Sequence, residues 1–399
     1  MKPVRGSLLR ALTEEALRLF FPLCAIHAAI WPFIWTWLFG LDLPLRRTTP
    51  PSIWHGHEML YGAYGAALLG FILTAVPEWT KTSRPSARLL LLLAGLWMTA
   101  RLVGLVGADG LNLIAAMADV AWLGILIVWL GLIAVRRRAG VLTGFLICLS
   151  ALLAWEIGLR FAIANQAFAQ AQTFLEYALL TFCALLGLAL MRITPPITNR
   201  VLDPTQFTAP FRPHPGRRYL SPAMVAVVIG ADLLGASTAV LGYLLIGAGA
   251  AFLDRVAESF IGRRFFRLEI LALAGSAAFA GIGLVLLGAG HLGPSQLQLV
   301  GLHVIAMGGL GFGVLGVFAI AGRLHTGQDL GLSRSVGLAL TLALFAMALR
   351  AASGLGFMPP GPAHGWAALA WAAAFLIWLR EYWPPFSTPS DQPVTSTPT

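Results

Sequence analysis

Cysteine and charge are both scarce in this chain. Its 399 residues include three cysteines, Cys24, Cys148 and Cys183, and no C-x-x-C or C-x-x-C-H spacing joins any of them. Zinc ribbons, thioredoxin-type redox chemistry and covalently attached c-type haem are therefore unsupported, and the three thiols read as packing residues. Only 11% of the residues are charged while 58% are apolar, a balance that excludes an ordinary soluble domain. The formal charge of +10 points to no nucleic-acid partner, because no folded basic domain exists to present it.

What the chain has in abundance is long apolar runs. The hydrocarbon core of a bilayer is about 30 Å thick, so a spanning helix needs roughly 20 apolar residues at 1.5 Å each. Twelve segments are read as spans: 17–40, 57–79, 88–107, 111–135, 140–163, 172–192, 220–235, 236–253, 268–290, 297–322, 334–354 and 363–380. The seventh and eighth divide at Gly235-Ala236-Ser237, since one helix across both would run roughly 50 Å. Lipid offers backbone groups no partners, so such spans are helices. The expected fold is all-α, a polytopic membrane protein with about 12 transmembrane helices. The first apolar run follows Lys2, Arg5 and Arg10 but is full-length and lacks a small-residue cleavage pattern, so it is expected to be retained.

Positive charge gives the orientation. With the N-terminus inside, the cytoplasmic segments hold 22 Lys and Arg, the opposite loops hold 4, and Arg101 lies within a span. Both termini are expected to be cytoplasmic, with the basic face toward anionic lipid. The organisation that follows is a cytoplasmic N-terminus (1–16), six spans (17–192), a Pro/Arg-rich cytoplasmic loop (193–219), six more spans (220–382) and a disordered Pro/Ser/Thr-rich tail (383–399). A six-plus-six layout is shared by two-halved secondary transporters, which carry parallel repeats. No matching motif is evident in the two halves.

Topology sorts the eight histidines by depth. His55 and His57 lie at the outer entrance to the second span, and His303 lies one to two turns into the tenth. His291 and His364 fall in outer loops, His27 near mid-membrane, and His214 and His325 on the cytoplasmic side. Trp54-His55-Gly56-His57-Glu58-Met59 is the densest polar feature beside any span. With a helix starting near His57, the residues His57, Tyr61, Tyr64 and Leu68 share a face, His57 can bond to Tyr61, and Glu58 points elsewhere. Tyr61 stands where an H-E-x-x-H motif needs its second His, so metallopeptidase chemistry is unsupported. Gly62, Ala66 and Gly70 form a small-x-x-x-small packing face on the same span.

On the tenth span, His303 and Met307 are one turn apart, and Gly308, Gly309, Gly311, Gly313 and Gly316 follow. A planar macrocycle needs an axial nitrogen and a helix surface stripped of side chains, and this stretch offers both. The alternative is a packed helix whose histidine bonds to a neighbour. Arg101 and Asp119 are placed to pair across adjacent spans, and Glu156 and Arg160 along one helix. They either neutralise one another or serve a proton path or a metal-bearing cofactor.

Together these segments resemble the NnrS family. Trp54-His55-Gly56-His57-Glu58-Met59-Leu60-Tyr61-Gly62, followed by Gly70-Phe71-Ile72-Leu73-Thr74-Ala75-Val76-Pro77-Glu78-Trp79-Thr80, is similar to W-H-x-H-E-M-L-F-G and G-F-L-L-T-A-V-P-N-W-T. His303 to Gly327 resembles a later motif of His, a Gly-rich helix and R-x-x-x-G-H-T-G. Arg192, Pro195, Pro196 and Thr198 resemble R-x-x-P-x-x-T. The chain departs at Glu78 (usually Asn), Leu324 (Gly) and Gln328 (Arg), and 268–274 lacks the Leu-His pair of relatives. The resemblance implies a multi-pass protein of the bacterial inner membrane that contains haem and copper and acts in nitric oxide metabolism, denitrification and resistance to nitrosative stress. Haem of the b type would be held by histidines in the outer half, and iron with one open side binds a diatomic gas or meets iron–nitrosyl species. Carried over by position, His55, His57 and His303 are the metal-ligand candidates, with Arg323 and His325 as candidates near the cytoplasmic face; Tyr61 and Met307, one turn from His57 and His303, are further cofactor contacts by their own spacing. Which histidine holds which metal stays open, as does the redox partner. A secondary transporter of a small solute or ion is the alternative reading, and a metal-uptake or cofactor-handling protein is a third.

Overall fold

The computed structural model describes residues 5–38, 48–106 and 109–389, and every regular element among them is helical. After a short α1 (Arg5–Thr13) come α2 (Ala16–Leu38), α3 (Pro51–His57), α4 (Gly65–Thr80), α5 (Ala87–Val106), α6 (Asn112–Arg136), α7 (Thr143–Ala164) and α8 (Phe168–Leu202). The second part holds α9 (Leu220–Leu233), α10 (Thr238–Val256), α11 (Leu268–Leu292), α12 (Gln296–His303), α13 (Phe312–His325), α14 (Arg334–Gly354) and α15 (Pro360–Ser387). Among the described residues, eleven continuous helices are long and apolar enough to cross a bilayer. The chain is a polytopic membrane protein.

The seventh expected span is the exception in length. At 14 residues, α9 covers about 21 Å, less than a bilayer core. It ends where the sequence indicated: Gly235 takes a left-handed backbone (φ 79°), and the Ser237 hydroxyl caps α10 by accepting from the Val240 amide. Two of the spans are not uniform α-helix. Between α3 and α4 the backbone passes through a π-helical segment, Glu58–Tyr64, and between α12 and α13 through another, Val304–Gly311.

The Pro/Arg-rich interruption at 193–219 does not begin as a loop. The helix α8 continues through Pro195 and Pro196 to Leu202, although those prolines leave carbonyls one turn back without intrahelical donors. The apolar face explains it: Ile197 packs with Leu190, Leu273, Ala277 and Ile320 in a buried cluster. Beyond Leu202 the chain turns tightly. Asp203 accepts from the side chains and amides of Thr205 and Thr208, which hold its carboxyl well below the usual carboxylate range. The Asn199 amide then bridges both backbone groups of Phe211. The tail also starts later than expected, since α15 runs to Ser387; 390–399, like 39–40 at the end of the first span, lie outside the described residues.

Two compact units make up the chain: 1–178 with 379–399, and 179–378. The divisions fall inside the continuous helices α8 and α15. In the first unit, the Gly62/Ala66/Gly70 face lies against α2, where a Cβ on Gly70 would meet the Phe21 ring at 2.7 Å. In the second unit, α11 is flanked by glycine seams. A Cβ on Gly249 would lie 2.6 Å from the Gly281 carbonyl, and one on Gly301 would lie 2.7 Å from that of Gly283. Such backbone approach is what small residues provide between membrane helices.

Candidate functional site

In the first unit, five helices and the π segment deliver ionisable groups to one buried place. His57 ends α3, Glu58 opens the π segment, Arg101 comes from α5, Asp119 from α6, and Glu156 and Arg160 from α7. His27 of α2 closes the group. Glu156 is 0% exposed, Glu58 and Asp119 1% each, His57 3% and Arg101 4%. Charges at this depth are retained only when paired, and here they are. Arg101 Nη2 donates to Asp119 Oδ2 at 2.5 Å, and Arg160 Nη2 donates to the same oxygen at 2.6 Å. Arg160 Nε donates to Glu156 Oε1 at 2.6 Å. Both ion pairs expected from the sequence are present, and they are joined into one network.

His57 is the hub. Its Nε2 lies 3.1 Å from each oxygen of Glu156, 3.0 Å from Arg160 Nη2 and 3.6 Å from Asp119 Oδ2, while Nδ1 lies 3.3 Å from Glu58 Oε1. The ring can donate at Nε2 to Glu156, or accept there from Arg160 while Nδ1–H faces Glu58. Glu58 does not point elsewhere, as α-helical spacing indicated: its carboxylate reaches the ring of the residue before it, at the start of the π segment. Its Oε2 is 3.4 Å from His27 Nε2 and 3.5 Å from Arg101 Nε. His57 does not bond to Tyr61; the two rings stack at 5.2 Å, and the Tyr61 hydroxyl donates to the Leu152 carbonyl. His55 stands apart, its ring stacked on Trp35 at 4.7 Å.

Three carboxylates face two guanidiniums, so one more positive charge closes the balance: a proton on an imidazole or a bound cation. The second option has suitable spacing. Single donor atoms of His57, Asp119 and Glu156 all lie within 4.8 Å of one another, as for ligands of one metal ion. A cavity of about 490 Å³ reaches the group, with His57, Glu58 and Arg160 in its lining, alongside Trp54, Gly104 and Asp109.

The second unit holds another polar group. His303, the last residue of α12, donates from Nδ1 to the Leu299 carbonyl at 2.9 Å, and its Nε2 accepts from Arg350 Nη2 at 2.8 Å. Arg350, on α14, also donates from Nη1 to His364 Nε2, and the Ser353 hydroxyl lies 3.3 Å from that nitrogen. The glycines after His303 do not present an open face. A Cβ on Gly308 would run into Met347 and Phe279, one on Gly309 into Ala280, and one on Gly316 into Ala272, so these glycines seat the helix on its neighbours. Met307 lies half-buried within the π segment. Arg323 and His325 belong to the end of α13, 20 residues or more from His303, about 30 Å along a helix. There Arg323 Nε donates to the Asp329 carbonyl, and Gly327 turns the chain with φ 73°.

Sequence reasoning passed over His27, Arg350 and His364. A signal for the last two was present: His57 and Gly62, Gly65 and Gly70 have the same spacing as His303 and Gly308, Gly311 and Gly316. In each case the histidine immediately precedes the π segment, and the next long helix supplies an arginine to its surroundings.

Membrane-crossing helices around an ionised, buried interior define a multi-pass membrane protein with an intramembrane polar centre. Residues 11–390 match the family described as NnrS protein, which covers nearly the whole chain, and the chain belongs to the NnrS family. No curated protein matches it.

Proposed function

We propose that this NnrS-family chain is a haem protein of the bacterial inner membrane, with copper as a second metal, acting in nitric oxide metabolism or protection from nitrosative stress. The observation that carries the haem reading is the tautomer of His303. With Nδ1–H given to the Leu299 carbonyl, Nε2 carries the lone pair, the tautomer that iron ligation uses, and Arg350 Nη2, which donates to that nitrogen, would give way to the iron. His57 does not fit the axial role, because carboxylate oxygens lie within 3.3 Å of both its nitrogens. It fits the smaller ion: one imidazole and two carboxylates are a donor set that suits a divalent ion such as Cu(II) better than Cu(I). When bound, haem iron supplies a coordination position for a diatomic gas. The protein's own part is to fix the His303 ring, hold Arg350 beside it, and keep His57, Glu58 and Glu156 able to hold a proton or cation. The Lys and Arg asymmetry supports cytoplasmic termini, which would put both groups toward the outer side.

A reduced-minus-oxidised spectrum of the purified protein, with haem and copper quantified on the same sample, tests the reading. A stoichiometric b-type spectrum that shifts with nitric oxide and disappears in His303→Ala is expected. A preparation that stays colourless after reconstitution with haem defeats it. The secondary-transporter reading then comes first, favoured by the cavity that reaches His57, Glu58 and Arg160, and flux into vesicles becomes the measurement.

A further inference from the structure

Arg101 and Arg350 hold corresponding places after the two π-bulged helices, yet their company differs. Arg101 has Asp119 at 2.5 Å and Glu58 at 3.5 Å. Among the described residues no carboxylate lies within 4.0 Å of Arg350, and its hydrogen bonds run to two imidazole nitrogens, His303 Nε2 and His364 Nε2. Where α6 contributes Asp119, α15 contributes His364. Arg350 sits half-buried on a membrane-crossing helix with its charge uncompensated. Charges in such helices are costly and pair with one another. A guanidinium has five N–H donors in a planar fork, two of which meet the imidazoles. The two lone pairs hold the fork in position, and Ser353, 9% exposed, places its hydroxyl at the same group.

We infer that Arg350, with Ser353 and His364 beside it, is an anion site that takes a small oxyanion, a carboxylate or a phosphate, as the counter-charge the protein does not provide. Two coplanar oxygens match the guanidinium fork. The oxyanion has three possible sources: free solution, a phospholipid headgroup, or the carboxylate side arms of a bound porphyrin. The site stands on Arg350's surroundings and does not require the haem reading.

The full-length protein in detergent is titrated with inorganic phosphate or acetate at fixed ionic strength made up with chloride, and thermal unfolding is followed. For free anion, a saturable rise in Tm is expected, with apparent affinity weakened about tenfold or more in Arg350→Gln. For lipid, native mass spectrometry from nanodiscs containing phosphatidylglycerol should find retained lipid that Arg350→Gln loses. For a porphyrin, haem should bind about tenfold more tightly than its dimethyl ester to the wild type but not to Arg350→Gln. If none of the three probes separates wild type from a folded Arg350→Gln variant, the inference is overturned. Should that variant not fold, Arg350→Lys decides: it keeps the charge without the fork, and binding equal to wild type on every probe overturns the inference. If haem and its ester both fail to bind, the haem reading falls while the phosphate and lipid arms still decide this one.

Discussion

The two π-bulged helices are built alike and furnished differently. Each carries a histidine at the last residue before the π turn, glycines five, eight and thirteen residues later, and an arginine brought up by the following long helix. Around His57 the neighbouring helices add two carboxylates to that of Glu58, and a second arginine, and the charges lock together at 2.5–2.6 Å. Around His303 the corresponding places hold a second histidine and a serine. His57 meets carboxylates on both ring nitrogens, whereas His303 meets a backbone carbonyl on one and Arg350 on the other. The same backbone device has thus produced a closed polar centre in one unit and a cationic, ligand-seeking one in the other.

The comparison can be broken most forcefully in the first unit. Glu156→Ala removes the charge-assisted hydrogen bonds that buried Glu156 makes with Arg160 and His57, though Arg160 keeps Asp119, and should cost about 2–3 kcal/mol. With 13 tryptophans, unfolding of the detergent-solubilised protein can be followed by intrinsic fluorescence. A loss under about 1 kcal/mol would mean that the network is not closed in the folded protein. A smaller effect sharpens the picture. Arg101→Gln and Asp119→Asn should couple by about 1–3 kcal/mol in a double-mutant cycle, the double variant being less damaged than the sum of the singles. Additive losses would count against a direct pair.

The second unit offers the converse change. His364→Asp supplies the carboxylate that Arg350 lacks and should raise stability by about 1 kcal/mol while removing the phosphate-dependent shift in Tm. A phosphate shift that survives it would disconnect the anion from Arg350. The smallest effect lies outside both centres and the membrane spans. Hydrogen bonds from Thr205 and Thr208 depress the Asp203 carboxyl, so the turn is fully held above the ordinary carboxylate range and loosens only as pH falls through the lower folded value. Hydrogen exchange at the Thr205 and Thr208 amides should stay slow at mildly acidic pH in the wild type and be fast at every pH in Asp203→Asn. Equal protection in both would show that Asp203 does not hold the turn.

Much of this was legible in the residues. Long apolar runs give the spans, the break at Gly235 follows from length, and the pairs Arg101–Asp119 and Glu156–Arg160 follow from depth and from one-turn spacing. What misled was reading contacts from helical spacing alone. With 3.6 residues per turn Glu58 leaves the face of His57, yet its carboxylate still reaches the neighbouring ring, and no local composition announces the π segment that begins there. Glycines after His303 read as an open face because a sequence does not say what approaches from the other side, here Met347, Phe279, Ala280 and Ala272. His364 stands at the second residue of the run read as 363–380 and so looks like a loop-edge residue, whereas α15 begins a turn earlier, at Pro360, and carries the imidazole back to Arg350. The prolines at 195 and 196 suggested a boundary that burial of Ile197 overrides.

A π turn amounts to one residue more than an α-helix of the same span would use, and this gives each histidine a simple history. Insertion of a single residue into an ordinary membrane helix rotates everything before it by about 100° relative to everything after it. The glycine seams after His303 can stay in register with α11 while the histidine ahead of them is turned to a new bearing. Deleting one residue between Val304 and Gly311 would run that change backward, leaving α13 in its groove and swinging His303 off Arg350. In that sense the aim of each imidazole is set by chain length, independently of the packing that holds the helix.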